Sequence, residues 1–146
     1  MADPNGFPTV DIPTSWVPPS GTDVELVEVG PHWDVVRAPA AIGERALALL
    51  GDATGAVIAD YSLMYWLTPP GSAQRWQRLQ RNVNVLGAHD ATVTYVGVPP
   101  ASHTTGPRLH WLIPVGPCRY LTDPHQLREA LARAIATESA EGVTAR

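Results

Sequence analysis

Fifteen prolines and 12 glycines punctuate this chain of 146 residues. Each proline fixes φ at roughly −65° and removes an amide donor, so loops and extended segments must be plentiful. Residues 1–21 carry Pro4, Pro8, Pro13, Pro18, Pro19 and Gly21. That predicts an extended arm, which Trp16 and Val17 would pin to the body. Val24–Val29 and Trp33–Arg37 read as short strands separated by Gly30-Pro31. Ala40–Leu50 reads as a helix, because Ile42, Ala46, Leu49 and Leu50 recur at helical spacing and Gly51 stands where a cap belongs. Gly55–Ala59 and Leu63–Leu67 read as a hairpin turning at Asp60–Ser62. Ser72 would cap a short helix holding Trp76 and Leu79. Val83–Leu86, Thr92–Val98 and Leu109–Ile113 are further strands, with a polar loop from Pro99 to Pro107. A last helix follows Thr122 or Asp123 as cap, with Pro124 in its first turn and Leu127, Leu131 and Ile135 on its apolar face. Fraying is expected from Ala140. The sum is a single α+β domain over residues 22–139, with two main helices lying on a mainly antiparallel sheet of six to seven strands.

Hydrophobic residues make up 45% of the chain and charged residues 16%. This supplies a core for one domain and excludes disordered, collagen-like and disulfide-scaffold classes. No apolar run reaches the ~18–20 residues of a membrane span. The single cysteine, Cys118, can form neither an intrachain disulfide nor a Cys-based zinc cluster. The first residues lack a cationic start and an apolar core, so a cytoplasmic protein is expected. All 10 basic residues are arginine and the net charge is −4. That balance argues against indiscriminate duplex binding, which needs a basic surplus to release counterions.

The candidate chemistry is sparse. His32 and Asp34 are two apart, so on a strand they share a face. They form either a polar pair at a sheet edge or two ligands of one metal ion. His89-Asp90 reads as turn chemistry. Cys118 lies beside Arg119, with no histidine placed to activate it. Arg75, Arg78 and Arg81 are spaced by three, interleaved with Gln74, Gln77 and Gln80 around Trp76. The segment reads as a solvated helix face anchored by Trp76, or as guanidiniums that hold phosphates beside an indole that stacks a base. Trp33, Trp66 and Trp111 lie in strands and are read as core residues. No phosphate-binding glycine loop, nucleophile elbow or zinc-protease motif occurs.

The order of several segments resembles the N-terminal domain of bifunctional DNA primase/polymerases and short, high-GC bacterial relatives of it. Tyr95-Val96-Gly97-Val98-Pro99-Pro100-Ala101-Ser102 followed by His103, Gly106 and Leu109-His110-Trp111 resembles that domain's late signature. Trp33–Val36, Ile42-Gly43, Pro69–Gly71 and Leu121–Pro124 occur in the matching order, so the likeness spans residues 24–136. The resemblance implies an archaeo-eukaryotic primase-like fold. In that family a carboxylate pair on a strand, a later acid and a histidine hold divalent metal and nucleotide. Here Asp34 stands at the first acid, but Val36 stands at its partner, Leu63 at the histidine and Asn84 at the later acid. The chain is therefore read as a catalytically degenerate primase/polymerase-like domain, a pseudoenzyme with no catalytic residue and no cofactor. Its expected role is binding or regulation, in DNA replication of a mobile element or in a protein complex. Arg75, Trp76, Arg78, Arg81, His103 and Arg108 would contact single-stranded nucleic acid or nucleotide. Two alternatives stay open. One is a protein-interaction module using the arm and an aromatic patch. The other is a single-metal enzyme using His32 and Asp34, or His103 and His110.

Overall fold

A computed structural model describes residues 16–72, 79, 83–87, 93–106, 108–116 and 120–144. Among the described residues, seven strands and two α-helices follow in the order β1 (Glu25–Glu28), β2 (Asp34–Pro39), α1 (Ala40–Leu50), β3 (Val57–Asp60), β4 (Leu63–Thr68), β5 (Asn84–Leu86), β6 (Tyr95–Val98), β7 (His110–Ile113) and α2 (Pro124–Thr144). The fold class is α+β, as the sequence implies. The strands divide into two antiparallel sheets: five in the order β5-β2-β4-β3-β7, and a ribbon of β1 and β6. Among the described residues no helix is long and apolar enough to cross a membrane.

Strand alternation gives the five-stranded sheet two buried faces. Val36, Ala38, Met64, Trp66 and Val57 point to one side, where Ile42, Ala46 and Leu50 of α1 and Leu127, Leu131 and Ala134 of α2 cover them. Val35, Leu67, Ile58 and Trp111 point to the other, where Val96 and Val98 of the ribbon close over them with Val29, Trp33 and Tyr120. The protein is thus layered as helices, sheet and ribbon. Trp66 and Trp111 on strands and Trp33 just before β2 are all core residues, at most 1% exposed.

Local chemistry fixes the element ends. The β3–β4 hairpin turns on Tyr61 and Ser62, with Tyr61 at φ 53°. The Ser62 carbonyl then accepts the Ala40 N–H at 2.7 Å, which caps α1 without a capping side chain. At the other end of α1 the Gly51 N–H donates to the Leu47 carbonyl with φ 55°, a backbone that favours glycine. Leu49 departs from its expected core position. It is 53% exposed and borders an open groove between α1 and α2, lined also by Gln126, Glu129 and Arg133. Leu47 packs against the core instead. Asp123 caps α2, its carboxylate accepting the Gln126 N–H at 2.9 Å. The helix runs to Thr144, past the point where fraying is expected.

Candidate functional site

The first candidate lies at the end of the sheet where the resemblance places metal. Asp34 opens β2 opposite Thr68 of β4. Both are buried, at 1% and 0% exposure. The Asp34 carboxylate accepts the Gly71 N–H at 3.0 Å. The Thr68 and Ser72 hydroxyls share a 2.9 Å hydrogen bond, and Ser72 also donates to the Pro69 carbonyl at 2.6 Å. Ser72 is thus turned back onto the Pro69-Pro70-Gly71 loop. Val36, the next residue on the Asp34 face, is sealed in the helix-side core. Leu63 and Asn84 belong to the opposite face, alternating with the helix-side Met64 and Val85, and sit toward the other end of β2, opposite Pro39 and Arg37. The positions that the resemblance would equip with metal and nucleotide ligands therefore do not converge. Among the described residues no group of three or more His, Cys, Asp or Glu side chains is placed to hold a metal ion.

The pairing of His32 with Asp34 also needs correction. It requires a strand running through both, but β2 begins at Asp34. A tight bend precedes it, with Gly30 at φ 123° and its N–H donating to the Trp33 carbonyl at 2.8 Å. His32 sits 6.5 Å from the Trp16 ring, on the ribbon side, while Asp34 faces the helix side. His103 is exposed in the loop after β6, and its backbone carbonyl accepts the Trp111 N–H at 2.8 Å. Arg108 is exposed and donates from Nε to the Tyr61 hydroxyl at 3.1 Å, tying this loop to the β3–β4 turn. His110 is buried and donates from Nδ1 to the Arg108 carbonyl at 2.6 Å. Arg108 thus lies by the β3–β4 turn, at the end of the sheet away from Asp34. Arg75, Trp76, Arg78 and Arg81, with His89, Asp90 and Cys118, lie outside the described residues.

A second constellation has only one sequence signal, the anchoring expected of Trp16. Its indole enters a slot on the ribbon side. It stacks on Tyr120 at 5.9 Å with a 10° interplanar angle and meets Trp33 nearly edge-on at 5.4 Å and 86°. Trp111 completes the slot at 6.4 Å. Val17, expected to share the anchoring, is instead 74% exposed. The strap is held farther along by the Ala101 N–H donating to the Pro19 carbonyl at 2.9 Å.

Two polar atoms of the residues around Trp16 are buried without a hydrogen-bond partner among the described residues: Trp33 Nε1 and the Tyr120 hydroxyl. The contrast with the two strand tryptophans is sharp. Trp66 Nε1 donates to the Thr54 hydroxyl at 3.2 Å and Trp111 Nε1 to the Pro99 carbonyl at 2.9 Å. Burial pushes the Tyr120 phenol up to about 12 from 10.0, because the charged form loses its hydration. The folded protein holds that proton to higher pH than the unfolded chain. Titration of this group therefore leaves stability unchanged below about pH 10 and lowers it toward pH 12. Tyr120→Phe should remove that decline in urea unfolding across this range. It should also raise stability at neutral pH by about 1 kcal/mol, since it deletes a buried hydroxyl without a partner. No protein-family model, curated protein or solved structure matches the chain.

Proposed function

We propose that this protein is a non-catalytic binding domain, related to primase/polymerase N-terminal domains by its order of segments and lacking their metal chemistry. The observation that carries the reading is the state of Asp34. It is buried and accepts the Gly71 amide, and its strand neighbour on the same face, Val36, belongs to the apolar core. Two-metal catalysis needs several carboxylates around a solvent-reachable cleft, because hard cations are held by clustered oxygens. What the sequence retains is a basic, amide-rich, indole-bearing segment from Arg75 to Arg81. Its chemistry suits a single strand or a nucleotide: guanidiniums for phosphates, Trp76 for a base.

Titration with single-stranded DNA, and separately with ATP and Mg²⁺, at several salt concentrations tests this. The wild type should bind single strands with an affinity that falls as salt rises. The triple variant Arg75/Arg78/Arg81→Ala should bind more weakly, with a log–log salt slope shallower by about 0.7 per lost phosphate contact. Flat responses to both ligands would remove the reading.

A second reading, a protein-interaction module, is favoured by the outer face of the ribbon. Leu26 and Tyr95 are 71% and 57% exposed there, beside the exposed acid Glu28 on the same face. It gives a defined complex or oligomer in place of a response to nucleic acid.

A further inference from the structure

We propose that the free edge of β1 is a docking site for an extended basic segment of a partner protein, one that reads base-apolar-apolar-base and adds to the ribbon as a further strand. This rests on the interaction-module reading of the ribbon and names the chemistry of its partner and the mode of contact.

Hydrogen-bond parity shows what the edge offers. The Val29 N–H donates to the Thr94 carbonyl at 2.8 Å, so these two residues bond directly across the ribbon. Bonded and non-bonded pairs alternate along an antiparallel ladder. Val27 stands opposite Val96 and Glu25 opposite Val98, so residues 25, 27 and 29 turn their backbone groups toward β6. Those of Leu26 and Glu28 point the other way, to an edge that pairs with no strand among the described residues. Glu25, Leu26 and Glu28 are all exposed along it. Such a row of backbone donors and acceptors is a template for one more strand.

Charge selects which strand. β1 reads Glu25-Leu26-Val27-Glu28, acid-apolar-apolar-acid. A base-apolar-apolar-base segment sets a base opposite each acid whichever way it runs. Opposite charges facing each other across strands stabilise the pairing and like charges oppose it. The apolar residues of the segment fall opposite Val27, which packs on the ribbon-side core, and Leu26, which shares the outer face with Tyr95. No lysine or arginine precedes Arg37, and β6 carries no charge, so the ribbon strands hold no base of their own. A second copy is a poor occupant, because two β1 edges would bring only acids together. Leu79, the described residue of the chain's own arginine-rich run, packs against the helix-side core, across the five-stranded sheet from the ribbon.

Two capped hexapeptides test this on the isotope-labelled full chain: acetyl-Thr-Arg-Val-Tyr-Arg-Thr-amide, and the same peptide with glutamate in place of both arginines. Amide shifts in two-dimensional NMR give the affinity, and amide hydrogen exchange gives the contact. The arginine peptide should bind about tenfold more tightly, since favourable charge pairs replace unfavourable ones. That preference should shrink as salt rises. At saturation, exchange of the Leu26 and Glu28 amides should slow, while that of Val27 and Val29, which face β6, changes little. In Glu25→Arg/Glu28→Arg the preference should reverse toward the glutamate peptide.

Equal binding of the two peptides to the wild type, or no binding of either, would overturn the proposal. The wild type alone decides it if the charge-swapped variant does not fold. Slowed exchange at Leu26 and Glu28 that appears with rising protein concentration and no peptide would overturn it in favour of a second copy. Shifts at Tyr95 without slowed exchange at Leu26 and Glu28 would overturn the edge contact and leave the interaction-module reading standing.

Discussion

Trp66→Ala is expected to lower the unfolding free energy by about 4 kcal/mol, measured by urea denaturation at neutral pH. Trp66 is fully buried at the centre of β4, where Val36 and Val57 flank it across the sheet. Its ring fills the space between the sheet and α1, close enough that a Cβ on Gly43 would stand 3.2 Å from it. Truncation removes apolar contact and leaves a cavity that two strands and a helix cannot close without moving together. It also strips Thr54 of the indole N–H it now accepts. Trp66→Phe keeps most of the volume and loses that hydrogen bond, so it should cost well under half as much. A Trp66→Ala protein as stable as the wild type would mean that the helix-side core is not organised around this ring.

Gly55→Ala should cost about 3 kcal/mol despite adding a single methyl group. A Cβ at Gly55 would stand 2.7 Å from the Tyr120 carbonyl oxygen and 2.8 Å from the Leu121 carbonyl carbon, both backbone atoms. The chain from Tyr120 to Thr122 is stitched to this spot. Ala56 N–H donates to the Tyr120 carbonyl at 3.0 Å, Gly55 N–H to the Thr122 hydroxyl at 2.8 Å and Thr122 N–H to the Leu67 carbonyl at 2.8 Å. Relieving the clash means pushing that segment away and weakening all three bonds. The control is Gly21→Ala, where no atom lies within 4 Å of the added carbon and stability should change by less than about 0.5 kcal/mol. Equal stabilities for the two variants would contradict the close approach.

The contrast between Gly55 and Trp66 shows what the sequence made legible. Local periodicity and capping placed α1 over Ala40–Leu50, the hairpin turn at Asp60–Ser62, and the start of α2 after Thr122 or Asp123. Each of these is set by residues within a few positions of one another. The strand tryptophans were readable as core because a large apolar ring on a short strand has few other places to go. Long-range geometry was not readable. Nothing local to Gly55 announces that the backbone of Tyr120 passes within contact distance. The split of the strands into a five-stranded sheet and a separate ribbon depends on the pairing of β1 with β6, some 70 residues apart in sequence. The His32–Asp34 pairing failed for a local reason: the Gly30-Pro31 bend ends only at Trp33, and β2 starts at Asp34, two residues too late for strand alternation to put both on one face.

The aromatic slot lies between these cases. Trp16 was legible as an anchor, yet its partners come from three separate places in the chain: His32 and Trp33 before β2, Trp111 on β7 and Tyr120 before α2. The unmet indole N–H of Trp33 exists only in three dimensions. The candidate metal position shows the same limit from the other side. Sequence gave Asp34 an apolar neighbour at Val36, and the fold adds that Leu63 and Asn84 lie on the opposite face of the sheet.

Template-directed primer extension in Mg²⁺ and in Mn²⁺, with wild type and Asp34→Asn, tests the central claim most directly. If Asp34 is a buried structural carboxylate and not one of a metal-holding set, neither protein yields product beyond a reaction without protein. Extension by the wild type, above all extension that Asp34→Asn abolishes, would contradict the account.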